Sequence, residues 1–350
     1  MNSIFDYNDQ IKKFFDEKIR LSREELQKLK TSCESNEDRI IHGLNDLYNV
    51  SRNSFVNQGS YAMQTIIFEE DNSYDIDDAL IIDAEKLKNK DGSYLSPNDF
   101  KDIVLESLND SRFLKKPQKL KNCVRIYYNE GYHVDVACLR RKSLSGIDTI
   151  ELASTDWKES NPKQINDWFA SKVKSYNKTC NDGGKMLRRM VRYFKKFARS
   201  RANWNMPCGL ILTMLTVECF AYYERDDECL YYLLKNIYSR LNNYGLIVLN
   251  LADGKEALTK SACDSNMVEL MKNLKTVLDK LEILEDRNCK AQDARIAWTY
   301  LFNNNGFFKE EDDILIDKAN LIKKGEARTS SIGSIGLIGI KNWPHKFHGI

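Results

Sequence analysis

The stretch that most constrains this chain is Tyr74-Asp75-Ile76-Asp77-Asp78 running into Ala79-Leu80-Ile81-Ile82. Four consecutive apolar residues of this kind read as a strand covered on both faces, and such strands sit in the interior of a sheet. The same strand opens with two carboxylates spaced i, i+2, which share a face with Cα atoms about 6.6 Å apart. Charge at the mouth of a buried strand is costly unless something cationic compensates it. Mg²⁺ prefers oxygen ligands and takes one or two protein carboxylates, with water and phosphate completing its shell. Two such ions about 3.5–4 Å apart form a clamp for in-line transfer, and Asp75 and Asp77 can reach both. Asp78 alternates to the other face and reads as structural.

About fifteen residues upstream stands Gln58-Gly59-Ser60. A glycine there lets backbone approach a ligand closely, and its amides can cradle phosphate. Downstream, Val124-Arg125-Ile126-Tyr127-Tyr128 turns through Asn129-Glu130-Gly131 into Tyr132-His133-Val134-Asp135-Val136-Ala137-Cys138. In that second strand Val134, Val136 and Cys138 share the core face, leaving His133, Asp135 and Ala137 on the other. Asp135 is therefore a third carboxylate planted mid-strand, and beside Asp75 and Asp77 it completes a three-carboxylate site.

The remaining elements are read from caps and periodicity. Residues from about 7 to 50 are expected to be helical, with a capping box at Ser22-Arg23-Glu24-Glu25 and a stripe of Ile40, Leu44 and Leu47. Ser96-Pro97-Asn98-Asp99 starts a helix carrying Phe100, Ile103, Val104 and Leu108, and Asn161-Pro162 starts another carrying Ile165, Trp168, Phe169 and Val173. After Asn181-Asp182-Gly183-Gly184 comes a helix with Leu187, Met190, Val191, Phe194 and Ala198 on one side. Its other side holds Lys185, Arg188, Arg189, Arg192, Lys195, Lys196, Arg199 and Arg201 with no acid among them. Eight such cations are expected to make a field suited to triphosphates. Met206-Pro207-Cys208-Gly209 opens an apolar helix to about Tyr223, and amphipathic helices follow to about residue 302. Residues 329–350 are rich in glycine and serine.

The net charge is only +2, which excludes a polycation built to coat nucleic acid. No run of eighteen apolar residues occurs, so no membrane partner is expected. The nine cysteines include no Cys-x-x-Cys pair, which speaks for free thiols and against zinc; with no basic-then-apolar leader at Met1–Asp6, a cytoplasmic location is expected.

Gly59-Ser60, Asp75-x-Asp77, Asp135 and the basic helix together resemble the DNA polymerase beta-like nucleotidyltransferase superfamily. Within it the chain is similar to the oligoadenylate synthase and cyclic GMP-AMP synthase branch, in particular to the bacterial cGAS/DncV-like nucleotidyltransferases, or CD-NTases. Asp75-Ile76-Asp77-Asp78 resembles the Asp-Ile-Asp-Asp form of the DncV-like members. Leu187 to Lys195, then Met206-Pro207 and Leu212 to Glu218, resemble the helix pair that follows the third aspartate. The resemblance, over roughly residues 40–300, implies an α+β, bilobed fold with a mixed β-sheet catalytic lobe (1–180) and a helical lobe (181–328), trailed by the segment 329–350. It implies that Asp75, Asp77 and Asp135 hold two Mg²⁺ ions, with Mn²⁺ able to substitute. It further implies that Gln58, Gly59 and Ser60 grip a donor triphosphate and that Lys195 neutralises it. Cys208 stands where relatives often carry a nucleotide-contacting serine. The implied activity joins nucleoside triphosphates (ATP, with GTP or pyrimidine nucleotides as further substrates) into a cyclic second messenger for anti-phage (CBASS) signalling. Implied partners are proteins of the same operon acting on the C-terminus, and no double-stranded DNA activator is expected. Transfer to another acceptor (an RNA end, a protein or a small molecule) and a non-catalytic nucleotide-binding role remain the alternatives.

Overall fold

A computed structural model describes residues 3–70, 74–111, 113–144, 146–254 and 256–323; the glycine-rich segment 329–350 lies outside them. The chain opens with α1 (Asn8–Lys18) and α2 (Arg23–Tyr48), so the helix expected from 7 to 50 is broken. Ser22 makes the expected capping box with Glu25. The physical reason for the break is that the two halves serve different cores. Ile11, Phe14 and Phe15 of α1 bury into the helical lobe, whereas Leu29, Cys33, Ile40 and Leu44 of α2 bury against the sheet.

β1 (Phe55–Gln58) leads through the single turn α3 (Gly59–Ala62) to β2 (Asp75–Asp83). α4 (Pro97–Ser107) starts at the capping box of Ser96 and Asp99, with proline at its first turn. β3 (Gln118–Lys119), β4 (Val124–Tyr127), β5 (His133–Leu144), β6 (Ile147–Ala153) and β7 (Trp157–Glu159) follow. These strands form a mixed sheet in the order β1-β2-β5-β4-β3, with β6 and β7 continuing from the far half of β5. β2 and β5 pair in parallel, and the other pairings are antiparallel.

Ile76, Leu80 and Ile82 meet Val134, Val136 and Cys138 on the face covered by α2 and α4. Ala79, Ile81, Ala137 and Leu139 form a smaller cluster on the opposite face. β2 is thus buried on both sides along its second half, as its apolar run predicts, and carries its carboxylates at the open end.

Helices build the other lobe: α5 (Pro162–Thr179), α6 (Gly183–Ala198), α7 (Gly209–Cys219), α8 (Asp226–Tyr244), α9 (Ser265–Leu281), α10 (Ala291–Phe302) and α11 (Asp313–Lys323). α7 ends four residues short of the expected Tyr223, because Phe220 turns into extended backbone and packs edge-on against Tyr176. The lobes do not divide at residue 180. Phe169 and Val173 of α5 share the helical core, and so does α1, whose Phe14 packs in tilted and edge-on contacts among Phe302, Phe307 and Phe308. No described helix is long and apolar enough to cross a membrane, and all nine cysteines are free thiols.

Candidate active site

Sheet register places the site. Gln58 lies opposite Asp77 on β1, Asp77 opposite Asp135 on β5, and Asp135 opposite Arg125 on β4. One row across four strands therefore reads Gln58, Asp77, Asp135, Arg125, all on the face away from α2 and α4. Asp75, two residues before Asp77, lies opposite His133. The three aspartates expected to act together do come together.

Their surroundings differ. Asp75 is half exposed, and its Oδ1 lies 2.6 Å from Nε2 of His133. Asp135 accepts two hydrogen bonds from the guanidinium of Arg125, each 2.7 Å. Asp77 is largely buried. Desolvation, then the charges of Asp135 and Asp75, push its carboxyl up from 3.8 to about 6, against the pull of Arg125 and Lys195. The central carboxylate is thus the uncompensated one. Three carboxylates on one face, with the middle one under-neutralised, offer oxygen donors of the kind that Mg²⁺ or Mn²⁺ takes.

Gly59 has φ +65°, and a Cβ there would stand 2.0 Å from Oδ2 of Asp77. Only glycine fits, because any side chain would strain the turn and collide with the carboxylate. Gln58, Gly59, Ser60, Asp75, Asp77, Asn166, Lys195, Arg199 and Gly209 line a cleft of about 440 Å³ between the lobes. Asp135 opens on an adjoining cavity of about 210 Å³, with Gln58, Asp77, Asn122, Cys123 and Ser160. Gln58, Asp77 and Ser160 face both spaces.

Lys195 is 4% exposed, and its ammonium donates to Oγ1 and the carbonyl of Thr65 at 3.1 and 3.2 Å. Desolvation first, then the nearby Arg199 and Arg192, pull its pKa down to about 7, while Asp77 opposes them. Cys208 is exposed at the N-cap of α7 with no side-chain capping bond, and its neighbour Gly209 is the residue that reaches the cleft.

The basic face of α6 departs from expectation. Instead of an open field for phosphates, it is bound into the protein. Arg188 donates to the carbonyl of Met63 at 3.2 Å, Arg192 to Gln64 at 2.5 Å and Lys196 to Phe68 at 3.1 Å. Lys196 and Arg199 both pair with Glu69, and Arg189 pairs with Asp226 at 2.7 Å. Lys185 pairs with Asp182, and Arg201 donates to the carbonyl of Tyr300. Segment 63–69, which joins the Gly59–Ala62 turn to the start of β2, supplies most of these acceptors. Lys195 and Arg199 are the two cations of this run that line the cleft.

Asp78 points to the other face, as expected. It sits with Cys33 and Glu37 in a buried group, accepting from Asn57 at 3.2 Å and from the amide of Ala79 at 3.0 Å. Sequence reasoning overlooked Arg125 and Thr65, and named Arg199 only as one of the eight cations of the basic helix. Arg125 carried a readable signal, since it alternates outward between buried Val124 and Ile126 on a strand one turn from Asp135.

Residues 53–139 match the family model described as cyclic GMP-AMP synthase DncV-like, nucleotidyltransferase domain. The fold is similar to Vibrio cholerae DncV cyclic AMP-GMP synthase in complex with the linear intermediate 5' pppA(3',5')pG. There the TM-score is 0.68 at 16% identity, over 88% of this chain and 98% of that one. The same enzyme with nonhydrolyzable GTP gives 0.67 at 18%, covering 87% and 97%. Bradyrhizobium diazoefficiens CD-NTase CdnG in complex with GTP gives 0.61 at 15%, covering 83% and 94%. At such identities these likenesses speak for the fold, which is the α+β, bilobed polymerase beta-like one.

Proposed function

From the premise that this chain is a cGAS/DncV-like nucleotidyltransferase, we propose that it joins nucleoside triphosphates into a cyclic di- or trinucleotide second messenger. The observation that carries the reading is Asp77, whose side of the sheet faces both cavities. The larger cleft receives the donor triphosphate and the smaller cavity the acceptor ribose, so the reacting atoms meet at that carboxylate. The complexes of the similar proteins with GTP and with pppA(3',5')pG support purine triphosphates as substrates.

Asp75, Asp77 and Asp135 would hold two Mg²⁺ or Mn²⁺ ions, which when bound acidify the acceptor hydroxyl and neutralise the departing pyrophosphate. The chain's own residues position the reactants. Gly59 brings backbone against Asp77, Ser60 and Gln58 wall the phosphate end, and Arg199 and Lys195 supply positive charge from the helical lobe. Transfer of this kind needs alignment and charge neutralisation rather than a protein nucleophile. Turning the linear product over in the same cleft allows a second transfer that closes the ring. A role in anti-phage signalling, with a partner protein acting on the C-terminal segment, belongs to the same reading. Truncation after Arg328 should leave synthesis intact and abolish any conjugation.

The test is incubation of purified protein with Mg²⁺ and the four labelled nucleoside triphosphates, followed by phosphatase. A phosphatase-resistant product is expected, and Asp75→Ala or Asp77→Ala should leave less than about a tenth of it, given the losses typical when electrostatic stabilisation is removed. Products that stay phosphatase-sensitive would point to another acceptor.

A further inference from the structure

Helix α11 is docked inside out. Its polar residues make the contacts with the protein: Asp313 pairs with Arg295 at 3.0 Å, and Asp317 accepts from the amide of Ala291 at 2.7 Å. Asn320 exchanges two hydrogen bonds with the backbone of Asp6, and Lys323 reaches the Asp6 carboxylate at 2.6 Å. Of the apolar residues only Ile316 packs on the helical core. Ile314 and Leu315 are each 67% exposed, Ile322 66% and Leu321 45%. With exposed Lys318 they fall at i, i+1, i+4, i+7 and i+8, which is one continuous stripe. A surface helix ordinarily turns such a stripe inward, and an apolar patch left outside marks a contact surface.

The sequence that continues from α11 has a pattern to match. Ser331-Ile332-Gly333, Ser334-Ile335-Gly336 and Leu337-Ile338-Gly339 are three successive triplets with isoleucine in the middle and glycine last. In an extended backbone with three residues per turn and a rise of about 3.1 Å, every third side chain shares an edge, so these isoleucines would recur about every 9 Å. On α11 the pairs Ile314-Leu315 and Leu321-Ile322 are seven positions apart, about 10.5 Å along the helix axis. A glycine beside each isoleucine lets the backbone lie close to a helix surface. The intervening residues 324–331 span up to about 26–29 Å, and α11 is only about 16 Å long, so the triplets can reach either end of the stripe. We propose that residues 331–340 of this chain's own C-terminal segment dock on the exposed stripe of α11. Two of the triplet isoleucines seat at the two apolar pairs. A short tether supplies an effective concentration of about 1 mM, so a contact of about 0.1 mM affinity is occupied about nine-tenths of the time. The seat is independent of the enzymatic reading above. It covers in cis a surface by which two copies would otherwise adhere, and a protein that acts on this segment has to compete with α11 for it.

NMR of the full chain with labelled isoleucine and leucine methyls tests this. Nuclear Overhauser contacts are expected between the triplet isoleucines and the methyls of the α11 stripe. Leu315→Lys combined with Ile322→Lys should abolish them and move the triplet methyls to the positions they have in a free peptide of residues 329–350. Ile332→Ser, Ile335→Ser and Ile338→Ser together should shift the stripe methyls, while Ile316, packed on the core, stays in place and reports that α11 remains docked. The wild-type contacts decide the matter without either variant. Their absence, with the triplet methyls already at free-peptide positions, would overturn the proposal. So would contacts found only between differently labelled copies, together with a dimer in light scattering, because a second copy would then be the cover.

Discussion

Asp77 holds a proton more tightly in the folded, metal-free protein than in the unfolded chain, because its pKa rises from 3.8 to about 6. The folded state therefore gains from that proton at low pH. The gain is lost as pH climbs through about 6, beyond which the ionised group costs on the order of 3 kcal/mol. Asp77→Asn, neutral at every pH, should raise the melting temperature in chelator by a few degrees at pH 7.5 and by much less at pH 4.5. Equal gains at both pH values would mean that charge is not the cause. Cys208 allows a second test at the same scale. It sits where serine would cap α7, and its thiol makes no capping bond. Cys208→Ser should add about 1 kcal/mol of stability, with the KM for nucleotide changed less than about threefold, because its neighbours rather than its side chain face the cleft. A larger KM change would show that a hydroxyl here reaches nucleotide. Both aspartate and cysteine were legible as site candidates from their motifs. What no motif carries is the company each keeps. The pairing of Asp75 with His133 and of Asp135 with Arg125 comes from which strands lie side by side, and with what register.

Among the elements, those specified by neighbouring residues could be read in advance. The capping boxes at Ser22 and Ser96 and the doubly buried run of β2 depend on residues within a turn or a strand of one another. The fate of the cations on α6 could not, since their acceptors lie about 130 positions away in segment 63–69. That helix works as a fastener: successive turns of it pin the connection between the Gly59 turn and the Asp75 strand. Lys196 and Arg199 converge on Glu69, so the three side chains should behave as one unit. Lys196→Ala and Glu69→Gln should each destabilise the protein and raise the KM for nucleotide, yet the double variant should fall short of their sum. A coupling of about 0.5–3 kcal/mol is expected for residues in contact; strict additivity in chemical denaturation would show that the link is idle. Lys195→Ala should harm kcat more than Lys196→Ala does, because Lys195 lines the cleft and Lys196 binds Phe68 and Glu69.

The whole molecule is tied together by a buried charged network where α1, α6 and α8 meet. Asp226 and Asp227 are fully buried. Asp227 accepts from the amide of Tyr7 at 2.8 Å and from Arg225 at 2.9 and 3.0 Å, while Asp226 pairs with Arg189 and receives the hydroxyl of Tyr193. Asp227→Ala would leave the Tyr7 amide unpaired and Arg225 with Asp6, 3.7 Å away, as its remaining carboxylate, so a loss of about 3 kcal/mol is expected in urea unfolding, seen as a lower midpoint. A loss below about 1 kcal/mol, the scale of an exposed ion pair, would contradict it. The same meeting point has a consequence during synthesis. Phe14 is made early, but the rings it packs against, Phe302, Phe307 and Phe308, emerge almost three hundred residues later. At roughly 5–20 residues per second the ribosome takes about 15–60 s to deliver them. Throughout that interval Phe14 lacks its aromatic cover, although α6 and α8, which also meet the first helix, emerge sooner. The helical lobe therefore closes only after translation has passed Phe308.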